Sequence, residues 1–161
     1  MEIFGGRRPL GGGILAGACC GHLWERYGRK RPRLVVVEPS ASCGLYESTR
    51  AGRIVKVGAA QSVMDGLVVE EASAEAWEML NAGAFAFLTV PDQAAIDAMR
   101  GAAQPAGGDP PVVIGDTGSA GWAGFLAMVG DEALRERLGV DSASRVAIVV
   151  TEGATGPEGY R

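Results

Sequence analysis

Leu34-Val35-Val36-Val37 is the run on which the fold turns. Four apolar residues, three of them β-branched, follow one another without the polar alternation of a half-exposed strand. Such a run reads as a strand covered on both faces, the condition met inside a parallel sheet flanked by helices. Val146-Ala147-Ile148-Val149-Val150 has the same character. Ile54-Val55-Lys56-Val57 and Phe85-Ala86-Phe87-Leu88-Thr89-Val90 are weaker strand candidates. Alanine-rich amphipathic runs alternate with them, which predicts an α/β layered fold.

The helical runs are legible by spacing. Ile14 to Trp24 is apolar nearly all round, so the reading buries it. Trp77, Leu80 and Ala84 stand at i, i+3 and i+7 across Ser73 to Ala84, and Ile96, Met99 and Ala103 repeat that spacing after Pro91-Asp92. Trp122, Phe125, Leu126 and Val129 mark another expected buried face. Asp131 is the expected N-cap of a short helix holding Leu134 and Leu138 and closed by Gly139. Glu2 to Arg8 and Pro105 to Pro111 read as loops. No linker or repeat divides the chain, so residues 1–161 form a single expected domain.

Composition excludes several classes. With 47% hydrophobic and 21% charged residues in 161, the chain can bury a core. A net charge of −4 opposes a nucleic-acid role. The basic stretch Arg26, Arg29, Lys30, Arg31, Arg33 lies between a helix and a strand and reads as a solvated connection. No run reaches the ~18 to 20 apolar residues of a membrane span, and Met1 to Gly13 lacks a secretory apolar core. A cytoplasmic location is therefore expected. His22 is the single histidine, and Cys19, Cys20 and Cys43 form no CxxC pair, so no metal site is expected and the thiols read as small buried side chains.

The chemical signal is Leu10-Gly11-Gly12-Gly13-Ile14-Leu15-Ala16-Gly17, which runs into the first helix. Consecutive glycines let backbone amides crowd an anion, and a helix N-terminus adds a dipole worth about 0.3–1 kcal/mol when exposed. A phosphate cradle is one reading. A dinucleotide site is another: Gly11, Gly13 and Ala16 or Gly17 mimic G-x-G-x-x-G/A, and Glu38 ends the next strand where a ribose-binding acid would stand. Met1 to Pro9, however, makes a poor preceding strand.

Taken in order, further segments resemble the diaminopropionate ammonia-lyases and their relatives among fold-type II (tryptophan synthase beta-like) pyridoxal-phosphate enzymes. After the glycine loop come Val36-Val37-Glu38-Pro39, Ala41-Ser42-Cys43-Gly44-Leu45-Tyr46-Glu47-Ser48 and Ala51-Gly52. Ser62-Val63-Met64-Asp65-Gly66-Leu67 is similar to the family's T-I-M-A-G-L. Ala76-Trp77-Glu78-Met79-Leu80 and Asp109-Pro110-Pro111-Val112-Val113 follow. Gly115-Asp116-Thr117-Gly118-Ser119-Ala120-Gly121 resembles G-E-S-G-A-x-G, and Val149-Val150-Thr151-Glu152-Gly153 resembles a strand ending in S-T-E-G. Residues 9–161 are family-like and 1–8 an atypical leader. Val69-Glu70 replaces the family's usual Cys-Gly.

The resemblance implies a parallel-sheet three-layer domain, truncated to the C-terminal half of the enzyme. It implies pyridoxal 5'-phosphate as cofactor, with Gly11, Gly12, Gly13, Ile14 and Leu15 on its phosphate, Thr151 on the pyridine nitrogen, and Asp116 and Thr117 beside the ring. The substrate implied is 2,3-diaminopropionate, converted to pyruvate and ammonia. The family's cofactor lysine belongs to the N-terminal half, and neither Lys30 nor Lys56 stands in such a context. No catalytic residue is therefore assigned, and the chain alone is expected to be inactive. The expected partner is a separate N-terminal half or a second copy. A dinucleotide-binding module and a non-catalytic remnant remain the alternatives.

Overall fold

The computed structural model describes residues 12–58 and 60–154. Its centre is a pair of parallel strands, β1 (Val35–Pro39) and β2 (Ala86–Val90), aligned from Val35 opposite Ala86 to Pro39 opposite Val90. Among the described residues, six α-helices surround them: α1 (Ile14–Tyr27), α2 (Gly44–Ala51), α3 (Ala74–Gly83), α4 (Asp92–Ala103), α5 (Ala120–Gly130) and α6 (Glu132–Leu138). The faces of β1 divide the core. Val36, with Phe87 of β2, joins Cys20 of α1 and Ala76 and Leu80 of α3 on one side. Val37 joins Ala95 and Ala98 of α4 and Ala120 and Ala123 of α5 on the other. Helix, sheet, helix: the three-layer α/β reading holds, and the uninterrupted valines exist because both faces of the strand are covered.

The cap and stop of α6 work as read, and α3 starts on a cap of the same kind. Ser73 accepts the amide of Ala76 at 3.0 Å and Asp131 that of Leu134 at 3.0 Å, each satisfying an orphan donor of a helix start. Gly139 closes α6 with φ of 64°. Of the stripe residues, Leu80 and Met99 are fully buried.

Other expectations are corrected. Within α1 only Gly17 and Cys20 are buried, while Ile14, Leu15 and Trp24 are exposed, because the helix packs chiefly on α3, along one side. On α5 the expected face is only partly covered: Trp122 packs against the core and Phe125 is half-buried, but Leu126 and Val129 are exposed, and the fully buried residues are Ala120, Ala123, Gly124 and Met128. The sheet approaches α5 too closely for large side chains; a Cβ added to Gly124 would stand 2.7 Å from Val37 Cγ2. Size selects the buried face here. The Ile54–Val57 run forms only an isolated antiparallel bridge, Lys56 to Glu71. Val146–Val150 is no strand at all, and Val146, Val149 and Val150 are 50%, 62% and 41% exposed. Cys20 is buried, Cys19 and Cys43 half-buried, and His22 exposed. No described helix is long and apolar enough to cross a membrane. The Glu2–Arg8 loop lies outside the described residues.

Candidate functional site

The two parallel strands end at Pro39 and Val90, and of the predicted residues Gly13 packs on Leu45 of α2, the helix that follows the end of β1. In parallel α/β sheets this carboxyl edge is where ligands gather. Gly12 and Gly13 carry φ of 67° and 83°, a left-handed conformation that side chains disfavour. Contact adds to this: a Cβ on Gly12 would lie 2.9 Å from the Ser73 amide nitrogen, and one on Gly13 would lie 2.7 Å from Leu45 Cδ1. Gly13 caps α1 without any side-chain bond, and the first turn of that helix contains no acid. Fourteen residues of aligned peptide dipole thus begin at a bare N-terminus. Gly11 lies outside the described residues. Ile14 and Leu15 are on the exposed first turn.

The turn is fixed to β1 through Glu38. That carboxylate is 5% exposed and accepts the amides of Leu45 (3.0 Å) and Tyr46 (2.7 Å), the opening amides of α2. Burial pushes Glu38 above the usual carboxylate range, and the two amides oppose that shift. Both oxygens are committed to α2, which removes the ribose-binding role that the dinucleotide reading gave this residue. Leu45, so placed, is the side chain against which Gly13 packs.

Asp116, Thr117 and Thr151 come together in a second group, through a residue that the sequence had not singled out. Glu152 Oε2 accepts the amides of Thr117 (2.7 Å) and Gly118 (3.2 Å), and the Glu152 carbonyl accepts that of Gly115 (3.0 Å). Thr151, exposed, directly precedes it. Thr117 Oγ1 accepts the Gly66 amide at 3.2 Å and donates to Asp65 Oδ1 at 3.4 Å. Asp116 is raised from the ordinary aspartate value by burial first, then by the charges of Glu152 and Asp65.

One strap joins the two groups. At one end Gly66 bonds Thr117; at the other the Ser73 amide donates to the Gly12 carbonyl at 3.1 Å. Midway, Ser42 Oγ donates to the Val69 carbonyl (3.0 Å) and accepts the Val69 amide (3.2 Å). Ser62 Oγ and the Val63 amide also bind Asp92 at the start of α4, just past β2. An open hollow of about 740 Å³ lies over this part of the strap, lined by Ala60, Gln61, Ser62, Val63, Asp65, Val68 and Asp92. Neither the glycine turn nor Thr151 lines it. Asp65, Gly66, Ser42 and Glu152 belong to motifs visible in the sequence, but their pairing is long-range and has no local signature.

These features fit a phosphorylated aromatic cofactor. The glycine turn ends in amides that no side chain caps, while hydroxyl and acidic groups cluster at the strap's other end. The chain belongs to the family of pyridoxal-phosphate dependent enzymes, whose family model matches residues 8–152. It is 33% identical over 156 residues to the diaminopropionate ammonia-lyase of Escherichia coli strain K12, an alignment covering 94% of this chain and 39% of that enzyme. The crystal structure of the Escherichia coli enzyme in complex with an aminoacrylate–PLP azomethine reaction intermediate superimposes with a TM-score of 0.85 at 30% identity, covering 94% of this chain and 39% of that one. Maize serine racemase, at 20% identity and a TM-score of 0.74, shares the fold. The chain therefore spans about two fifths of the length of these relatives.

Proposed function

We propose that this chain is the cofactor-holding portion of a pyridoxal-phosphate-dependent lyase acting on 2,3-diaminopropionate. The observation that carries the reading is the uncapped N-terminus of α1, opened by two left-handed glycines at the carboxyl edge of β1. In this reading the amides of Gly11 to Leu15 bind the phosphate, a contribution of up to ~2 kcal/mol where the helix end is partly buried. The Thr151 hydroxyl meets the pyridine nitrogen, and Asp116 and Thr117 stand beside the ring. The bound cofactor supplies an electron sink for carbanion chemistry; the chain's share is anchoring and orientation.

The covalent link is another matter. The chain has two lysines. Lys56 Nζ lies 2.7 Å from Glu70 Oε2, and Lys30 sits in a 3-10 turn beyond the far end of α1 from the glycine turn. Neither is offered to the site, so the chain alone is proposed to have no lyase turnover. Full activity is proposed to need a polypeptide corresponding to the part of the relatives' fold that this chain does not span. The exposed valines of 146–150 support that reading, as does the similarity to diaminopropionate ammonia-lyases.

The test is a titration of the purified chain with pyridoxal phosphate, read by tryptophan quenching and cofactor absorbance, alongside a pyruvate assay with 2,3-diaminopropionate. Saturable binding competed by inorganic phosphate, without pyruvate release, is expected. No binding refutes the cofactor role; steady pyruvate release from the chain alone refutes the proposed dependence on a partner.

A further inference from the structure

Thr151 ends an extended segment that belongs to neither described strand, so something other than a ladder must hold it. The contacts around it are specific. Glycines at every third position, Gly115, Gly118 and Gly121, face the segment 148–153. A Cβ on Gly121 would lie 3.0 Å from Ile148 Cγ2, one on Gly118 3.0 Å from the Glu152 carbonyl oxygen, and one on Gly115 would collide with the Gly153 carbonyl. The segment lies directly on this track. Its polar anchorage comes from Glu152, whose carboxylate takes the amides of Thr117 and Gly118 in the turn before α5 (2.7 and 3.2 Å) and whose carbonyl takes the Gly115 amide (3.0 Å). The two carboxylate bonds are charge-assisted bonds to the turn that precedes α5, stronger than neutral ones.

We infer that Glu152 is a positioning residue: by clamping the Gly115–Gly118 turn before α5 it sets where the Thr151 hydroxyl stands relative to Asp116 and Thr117. This rests on the cofactor reading above, in which Thr151 meets the ring nitrogen. The inference extends that reading, because the residue aimed at the ring is held by its neighbour rather than by the sheet.

Three variants separate geometry from charge. Glu152→Gln keeps an acceptor oxygen at the same reach; Glu152→Asp keeps the charge but is one methylene short; Glu152→Ala removes both. Backbone amide exchange and nitrogen relaxation are measured at Gly115, Thr117, Gly118 and Thr151, together with the absorption band and phosphorus resonance of bound pyridoxal phosphate. In the Ala and Asp variants, amide exchange at Thr117 and Gly118 is expected to accelerate by about tenfold or more, Thr151 is expected to lose order, and the ring absorption is expected to shift while the phosphate resonance stays. Glu152→Gln is expected to restore most of each signal. Should Glu152→Ala fail to fold, Glu152→Asp decides. If wild type binds no cofactor, the cofactor reading falls, but order at Thr151 still judges the clamp. Thr151 as ordered in the Ala or Asp variant as in wild type overturns the inference.

Discussion

Alanine at Gly12 and Gly13 tests whether the turn before α1 is built by conformation or by contact. Both residues have positive φ, which costs an alanine about 1–2 kcal/mol, reduced by roughly 0.4–1 kcal/mol because alanine also restricts the unfolded chain. The contacts then separate the two positions. The Cβ of Gly12→Ala meets the Ser73 backbone nitrogen at 2.9 Å, in a segment that is itself bonded to Gly12 and starts α3, so backbone must move. The Cβ of Gly13→Ala meets Leu45 Cδ1 at 2.7 Å, the far end of a side chain that can change rotamer. Overpacking costs about 1–3 kcal/mol, with the unyielding contact at the upper end. Gly12→Ala is thus expected to destabilise by about 2–4 kcal/mol and Gly13→Ala by about 1–2 kcal/mol. Urea unfolding at constant m-value measures both. Leu45→Val removes Cδ1, so in that background the Gly13→Ala cost is expected to shrink by about 0.5–1 kcal/mol. Equal costs for the two glycines, or strict additivity of Gly13→Ala with Leu45→Val, would show that contact with Ser73 and Leu45 does not shape the turn.

Three further outcomes follow from the packing and charges. Gly124→Ala pushes a methyl against Val37, 2.7 Å away, and is expected to cost about 1–3 kcal/mol in urea titration; a loss below about 0.5 kcal/mol contradicts the close approach of α5 to β1. Val149→Lys, at a residue 62% exposed, is expected to change stability by no more than about 0.5 kcal/mol, whereas a core strand position would lose several times that. Glu38 has its folded value raised by burial, so below about pH 4 it is protonated in both states and no charge is buried. As pH rises through the window between the ordinary and the raised value, the unfolded chain ionises first and wild type loses stability relative to Glu38→Gln. A wild-type advantage that grows with pH across that window contradicts the burial argument.

The fold was legible where burial is two-sided or a cap is local. The valines of β1, the Asp131 cap and the Gly139 stop needed only near neighbours. Val146–Val150 was misread for a physical reason: its hydrophobicity records the surroundings of a strand, and the described residues bring it no pairing partner. On α5 the large side chains suggest the core face because size usually marks burial; with Val37 so close, Ala123 and Gly124 fit and Leu126 does not. The site was legible as a set of motifs in order. The sequence concealed which motif touches which, since Ser42–Val69, Gly66–Thr117 and Glu152–Thr117 join residues far apart in the chain, and it offered no hint that Glu38 would spend both oxygens on α2.

The bonded strap from Gly66 to Ser73 behaves as a yardstick. Six residues lie between its two anchors, so seven backbone steps tie the glycine turn to the Thr117 loop by at most about 25 Å of taut backbone and the hydrogen bond at each end, and the pin at Ser42 shortens the free length further. A rigid small molecule gripped at both ends needs such a fixed span. Slack introduced at one anchor, for example by removing the Thr117 hydroxyl, would be felt as play at the other, at a glycine that the altered residue never touches.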